Sequence, residues 1–502
     1  VHSLLALEMA VSANPDRVAV QHGNERITFA GLLSAAWQVP GVIGDATALV
    51  YVGPNSLAFP IAMFGAAAAD VPCIPLNYRL SDEQLLALID HHEGAVIVAD
   101  PDIAPRLAAH GHRVLTSDEF VSATTNGGEP GFSAGDGDEI WLLLYTSGTT
   151  AAPKAAILRH RHITSYVVGS VEFAAADESE AALVSVPPYH IAGVSNLMSN
   201  LYLGRRIVYL DRFDAQEWVD TVARERITSG MVVPTMLARI CDALEADPEV
   251  DMSSLAALSY GGARTPSGVV ERVMKLLPHT GLTNGYGLTE TSSTVALLSP
   301  DDHRAAFADP DPAIRARLSS VGKVLPSIEV EIRGEDGAPL ATGEVGDIWL
   351  RGDQVSGEYR GQGSVVDADG WFPTRDRGWV DDGDYLFVEG RSDDTIIRGG
   401  ENIAPAEIEE TLREHPAVAE VAVVGVPDDE WGQRIAAVIV AADGSHADPD
   451  DITSFVRGRL RTSKTPDIVR FVDELPYTET GKLLRRVVLA DLEADRPSGD
   501  AT

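Results

Sequence analysis

The sequence predicts an α/β protein with a large N-terminal domain of layered, mostly parallel sheets and helices, a small β subdomain, and an α+β C-terminal domain. Three observations lead there. At 502 residues, the chain exceeds the size at which a single core splits. Up to about residue 320, short apolar runs rich in Val, Ile and Leu alternate with helical segments, the pattern of a parallel sheet covered on both faces. Beyond that point the texture changes to short alternating strands separated by Gly and Asp, and the last ~110 residues form a tail long enough to be its own domain.

In chain order, Ser3–Ser12 reads as a helix, and Arg17–Val20 and Ile27–Phe29 as strands. Ala48–Gly53 is a strand ended by the turn Gly53-Pro54-Asn55. Ser56–Ala69 is a helix packed closely through Gly and Ala. Val71–Leu76 is a strand, Ser81 caps a helix reaching His91, and Ala95–Ala99 is a buried strand. Ala123–Asp138 reads as a polar surface loop before the apolar strand Ile140–Leu144. Further strands are expected at Ala181–Val186, Arg206–Leu210, Gly230–Val233 (closed by Pro234) and Leu258–Gly262. Helices are expected at Ile191–Leu203, Ala215–Glu225 and Pro266–Leu277. The β subdomain contains Ile328–Ile332 and Gly346–Arg351. The tail reads as helices Ala404–Arg413, Ile452–Leu460 and Gly481–Ala490, with strands Val418–Val426, Ile435–Ala441 and Val469–Val472.

Composition removes several classes of function. The 39 basic and 75 acidic residues give a formal net charge of −36, which opposes nonspecific binding to nucleic acid or an anionic membrane. The longest apolar run, Phe59–Ala69, is too short for a membrane span, so no integral membrane segment is expected. Two distant cysteines, Cys73 and Cys241, exclude a disulfide framework. The first residues lack the basic region and cleavage site of a secretory signal, so a cytoplasmic location is expected.

Tyr145–Lys154 reads Tyr-Thr-Ser-Gly-Thr-Thr-Ala-Ala-Pro-Lys. Hydroxyls, backbone N–H groups and one ammonium in a loop after a strand suit a phosphate chain. It is not the loop of the nucleotide hydrolases, because Pro153 and Ala155 flank the lysine where glycine and Ser or Thr are needed. Other segments combine residues of similar promise. They are Pro187-Pro188-Tyr189-His190-Ile191-Ala192-Gly193, Ser259-Tyr260-Gly261-Gly262-Ala263, and Asn284-Gly285-Tyr286-Gly287-Leu288-Thr289-Glu290. Towards the C-terminus come Trp371–Asp376, Gly390–Asp394, Gly399–Glu409 and Thr478–Lys482.

Together, and in this order, these segments resemble the adenylate-forming superfamily of acyl- and aryl-CoA synthetases, luciferases and peptide-synthetase adenylation domains. The likeness runs from about residue 15 to residue 490. It implies an N-terminal AMP-binding domain, 1–391, and a mobile C-terminal domain, 392–502. It assigns Thr146, Ser147, Gly148, Thr149, Thr150 and Lys154 to the ATP phosphates. Gly261, Gly262 and Ala263 fall on the adenine side, with Asn284, Gly285, Tyr286 and Gly287 beside them and Tyr286 stacked on the ring. Thr289 meets the α-phosphate, and Glu290 ligates Mg²⁺, a hard cation suited to carboxylate. Asp376 accepts the ribose hydroxyls, and Arg391 reaches ribose or phosphate. Asp393 is the hinge, and Gly399, Gly400 and Glu401 line the CoA tunnel. His190 sits beside carboxylate and phosphates. Lys482 neutralises charge at the α-phosphorus.

The implied reaction joins a carboxylic acid to CoA through an acyl-adenylate, with ATP, Mg²⁺ and coenzyme A. Ile191, Val194, Met231 and Val232 are the apolar candidates for the acyl pocket. No aspartate follows Pro188 to hold an α-amino group, which favours a fatty or aryl acid over an amino acid. Two alternatives stand beside this reading: an acyl-AMP ligase loading a carrier protein, and a catalytically silent binder of acyl nucleotides. A homodimer is compatible with the sequence but not specified by it. Three residues depart from the family pattern. Ala151 and Ala155 replace loop glycines, and a methyl at position 151 strains any positive-φ conformation. Arg375 stands where the family reads Thr-Gly-Asp.

Overall fold

A computed structural model describes residues 1–125, 135–146, 154–398, 401–428, 431–442, 444–445, 448–478 and 482–494. The chain divides into two units, one of Val1–Glu329 with Leu350–Phe372, the other of Val330–Trp349 with Pro373–Thr502.

The first unit is built on two sheets. In the nine-stranded sheet, Gly281–Leu288, Ala257–Gly261, Ser229–Val232, Ala181–Val184, Arg206–Tyr209 and Val18–His22 lie side by side and parallel. Antiparallel neighbours close each edge. The eight-stranded sheet places Arg113–Thr116, Val96–Ala99, Leu49–Val52, Cys73–Pro75 and Ile140–Thr146 in order. These strands are parallel, and Lys154–Arg159 then pairs antiparallel with the last of them. Leu49–Val52 and Val96–Ala99 are buried at every position, as strands covered on both faces must be.

Helices Ile191–Leu203 and Ala215–Glu225 occupy the predicted spans. Ser81 caps Asp82–Ile89 through a capping box with Gln84. Other expectations are corrected. Phe29 opens a helix to Ile43, capped by the Thr28 hydroxyl, rather than ending a strand. Pro40, Gly31 and Gly41 disguise that helix in the sequence. Pro234 begins a helix, Pro234–Ala246, because the N–H it lacks falls in the first turn, where N–H groups have no acceptor within the helix. Helix Ser117–Thr125 takes the start of the predicted polar loop, of which 126–134 lie outside the described residues.

In the second unit, a four-stranded sheet orders Glu329–Arg333, Gly346–Arg351, Phe372–Val380 and Leu386–Arg391. A three-stranded sheet of Val418–Asp428, Gly432–Ala441 and Ile468–Val472 carries helices Pro405–Arg413, Pro449–Arg457 and Arg485–Ala494. The last helix starts later than predicted, because Leu483 is first engaged in an antiparallel bridge with Tyr477. Arg485 pairs with the buried Glu409, whose carboxylate also accepts the Val423 N–H. Arg485 offsets the desolvation and holds the Glu409 carboxyl below its usual range.

Both cysteines are buried, and burial pushes the Cys73 thiol up to about 12. Among the described residues, no helix is long and apolar enough to cross a membrane.

The helix Ala58–Ala68 rests on Phe29–Ile43 through Gly65, where an added Cβ lies 2.2 Å from a Val39 methyl. Both positions are buried, and the β-branched valine cannot swing aside. Gly65→Ala is expected to destabilise the protein by about 1–3 kcal/mol, read as a lowered denaturant midpoint.

Candidate functional site

The parallel strands of the nine-stranded sheet end in loops rich in the predicted site residues. Ligands in such folds gather outside the carboxyl ends of strands. Gly261 pairs with Gly285 on the neighbouring strand, and a Cβ on Gly261 would fall 2.2 Å from the Gly285 carbonyl oxygen. Only glycine permits that approach. Gly262 and Ala263 follow directly. Asn284 donates from Nδ2 to the Ser320 carbonyl at 3.1 Å.

A register shift between Tyr286 and Gly287 kinks the strand against Ser293–Leu298. A Cβ on Gly287 would stand 1.8 Å from the Ser293 carbonyl oxygen, so this position also demands glycine. The strand ends in a 3₁₀ turn, Thr289–Thr291, which carries Thr289 and Glu290. The Glu290 carbonyl accepts the Ser356 N–H at 2.8 Å. Its carboxylate accepts the Tyr359 hydroxyl at 2.6 Å.

On the other sheet, Thr146 and Lys154 face each other across an antiparallel pair. Ser147, Gly148, Thr149, Thr150 and Ala151 lie outside the described residues. The Lys154 ammonium lies 5.8 Å from the centre of the Tyr359 ring. Tyr359 therefore meets both the predicted phosphate cation and the predicted metal carboxylate. Sequence reading missed it: 69 positions separate it from Glu290, and no local pattern marks the pair.

His190 precedes helix Ile191–Leu203, and its carbonyl accepts the Gly193 N–H at 2.9 Å. Its ring lies 4.5 Å from that of Tyr189. Desolvation pushes the imidazole down to about 4, so it is neutral at pH 7. Ile191 is half-buried, whereas Val194 is fully buried in the first core with Leu197 and Met198. Met231 and Val232 point to opposite faces of their strand and cannot line one pocket wall. Val232 is buried in a second core with Trp218, Leu237 and Ile240, which leaves the part-exposed Met231 as the pocket candidate of the two.

In the second unit, Asp376 and Arg391 are directly opposed in a hairpin. Arg391 donates to the Asp376 carboxylate at 3.2 Å, and the Asp376 N–H donates to the Thr374 hydroxyl at 3.0 Å. Asp376 is only 5% exposed. Arg375 takes φ +62°, the left-handed conformation that glycine would adopt without strain. Its guanidinium lies 3.9 Å from the Asp393 carboxylate in the 3₁₀ turn Ser392–Asp394. Glu401 pairs with Arg398 in a short hairpin, and Gly399 and Gly400 lie outside the described residues. Lys482 is exposed; its N–H donates to the Thr478 hydroxyl and its carbonyl accepts the Thr478 N–H, and residues 479–481 lie outside the described residues.

The donor set at Glu290 fits Mg²⁺, which takes one or two carboxylates and draws its other ligands from phosphate and water. Tyr359 engages one carboxylate oxygen and leaves acceptor capacity on the other. A second cluster, His2, Glu139 and His160, has the right atoms for a transition metal. Its two imidazoles stack at 3.7 Å and 26°, however, so their in-plane lone pairs run side by side rather than converging.

The family model described as "AMP-binding enzyme" matches residues 7–360, and "AMP-binding enzyme C-terminal domain" matches 407–482. The chain is 34% identical to a feruloyl-CoA synthase of Amycolatopsis sp. over 94% of this chain and 95% of that one. It is 32% identical to a 2-succinylbenzoate–CoA ligase of Bacillus licheniformis over 95% and 98%. Among solved structures, it is similar to an o-succinylbenzoate CoA synthetase of Bacillus subtilis in complex with its acyl-adenylate intermediate. That match has a TM-score of 0.84 and 27% identity, and it covers 96% of this chain and 97% of the other.

Two outcomes follow from this geometry. Arg375→Gly is expected not to lower the thermal midpoint, since it relieves roughly 1–2 kcal/mol of backbone strain against glycine's greater entropy. A clear fall would show that the Arg375–Asp393 pair outweighs the strain. For His190, the folded pKa of about 4 lies below the ordinary 6.5. Protonation therefore favours the unfolded chain as pH falls below 6.5, and His190→Asn should flatten the loss of stability between pH 6.5 and 4.

Proposed function

Because this chain belongs to the AMP-binding enzyme family, we propose that it is an ATP-dependent carboxylic acid:CoA ligase that forms an acyl-adenylate and then an acyl-CoA thioester. The observation that carries the reading is the joint seating of Glu290 and Lys154 on Tyr359, a carboxylate and an ammonium held at one residue beside the strand ends. Such a pair suits a metal-bound triphosphate. The similarity to CoA ligases over nearly the whole chain supports it.

In the first half-reaction, the substrate carboxylate attacks the α-phosphorus of ATP. The bond to the β-phosphate oxygen breaks and pyrophosphate leaves. Thr146 and Lys154, with the hydroxyls of Ser147, Thr149 and Thr150 and the backbone of Gly148, hold the departing phosphates. Gly261, Gly262, Ala263, Asn284, Gly285, Tyr286 and Gly287 hold the adenine. Glu290 would hold Mg²⁺, which neutralises phosphate charge when bound. Thr289 donates to the α-phosphate. The neutral imidazole of His190 lines the carboxylate path without adding charge. Asp376, already oriented by Arg391, accepts the ribose hydroxyls. Lys482 neutralises charge developing at the α-phosphorus.

In the second half-reaction, the CoA thiol releases its proton to solvent and its sulfur attacks the acyl carbon. The acyl–phosphate bond then breaks and AMP leaves. Residues 392–502 act as a functional module pivoting at Asp393, with Gly399, Gly400 and Glu401 serving CoA. Ile191 and Met231 are the acyl contacts. Aryl acids are the first substrates to test, since the relatives' names point to aryl groups. A cytoplasmic location is part of this proposal.

The test incubates the protein with Mg·ATP and a panel of aryl and fatty acids, with and without CoA, and identifies products by mass spectrometry. Acyl-CoA is the expected product. Acyl-AMP that accumulates regardless of CoA would instead support carrier-protein loading. No pyrophosphate release with any acid would support a silent binder. Lys482→Ala is expected to slow adenylation by orders of magnitude while supplied acyl-AMP still reacts with CoA. Equal loss of both steps would contradict the role given to the C-terminal module.

A further inference from the structure

We infer that Tyr359 and His92 are positioning residues for ATP binding: Tyr359 orients the Glu290 carboxylate, and His92 ties Tyr145, on the first flank of residues 147–153, to Arg360 beside the strand that pairs with their second flank. The inference rests on the function proposed above and concerns groups that the sequence reading did not single out.

The strand Glu358–Tyr359 pairs with the second flank of residues 147–153, setting Tyr359 opposite Ala156. One residue on, the Arg360 N–H donates to the Ala155 carbonyl at 2.9 Å. Three contacts then fan out from these two residues. The Tyr359 hydroxyl reaches Glu290, the Tyr359 ring faces the Lys154 ammonium, and the Arg360 guanidinium reaches Nδ1 of His92. On its other side, Nε2 of His92 meets the Tyr145 hydroxyl at 2.9 Å, immediately before Thr146.

The chemistry orders this chain of bonds. A guanidinium can only donate, so Nδ1 of His92 is the acceptor and the imidazole proton resides on Nε2. Nε2–H then donates to Tyr145. His92 is 4% exposed, and burial with the nearby Arg360 charge pushes its imidazole down to about 4, which keeps this neutral tautomer at pH 7. The first flank, the second flank and the carboxylate of Glu290 are thus held by one short segment. The spacing between the ammonium and the metal carboxylate is set by packing before any nucleotide arrives. Outer partners of this kind fix the orientation of a metal-binding carboxylate.

The test measures ATP binding by calorimetry, in MgCl₂ and separately in EDTA, for wild type, Tyr359→Phe, His92→Leu and His92→Gln, with unfolding midpoints recorded alongside. Tyr359→Phe keeps the ring and removes only the hydroxyl. It is expected to cut the affinity gained on adding Mg²⁺ by about tenfold, with affinity in EDTA unchanged. His92→Leu is expected to weaken ATP binding several-fold in both buffers, and His92→Gln, which can still accept and donate, to restore most of it. A Tyr359→Phe protein with the wild-type Mg²⁺ gain, or a His92→Leu protein with wild-type affinity, overturns the inference. A wild type that shows neither Mg²⁺-dependent ATP binding nor acyl-adenylate overturns the proposed function, and this inference with it.

Discussion

The site in the first unit depends on how closely neighbouring backbones approach where the parallel strands end. Gly261 lies against Gly285, and Gly287 against Ser293, at separations that leave no room for a side chain. That contact lets the strand Gly281–Leu288 kink after Tyr286 and turn at once into the short helix that carries Thr289 and Glu290. A larger residue at either glycine would push the strand ends apart and carry Glu290 away from Tyr359.

Burial organises the rest of this unit. Sheets covered on both faces need strands that are apolar throughout, and those strands can tolerate polar groups only at their ends. The chemistry-bearing residues are at the ends for that reason. His190 follows this rule, since it begins a helix just after the strand Ala181–Val184 and is left neutral by its surroundings. The second unit solves a similar problem differently. Its buried carboxylates, Asp376 and Glu409, are each matched by an arginine, Arg391 and Arg485, because an unpaired buried charge would be strongly destabilising.

Much of this was legible in the sequence, and the residues that were not share a cause. Helices with regular apolar spacing, such as Ile191–Leu203, were placed correctly. The helix Phe29–Ile43 contains Gly31, Pro40 and Gly41, which weaken its local signal, and the tertiary core holds it together around Leu32, Val39 and Ile43. Pro234 read as the end of a strand when it is the start of a helix. Met231 and Val232 read as equivalent pocket residues, but strand alternation sends them to opposite faces. Arg375 read as an anomaly, and the structure shows it bearing the left-handed backbone that a glycine would take freely.

By itself, the sequence determined the identities of the candidate groups and their order along the chain, because these are set by residue type and local spacing. It also determined the fold class, through the alternation of apolar strands and helices. Tertiary structure alone decided which of those groups meet. Tyr359 lies 69 positions from Glu290, and Arg360 lies 268 from His92. Contacts at such separations arise only when strands from distant parts of the chain pair in register, and no local pattern encodes that register.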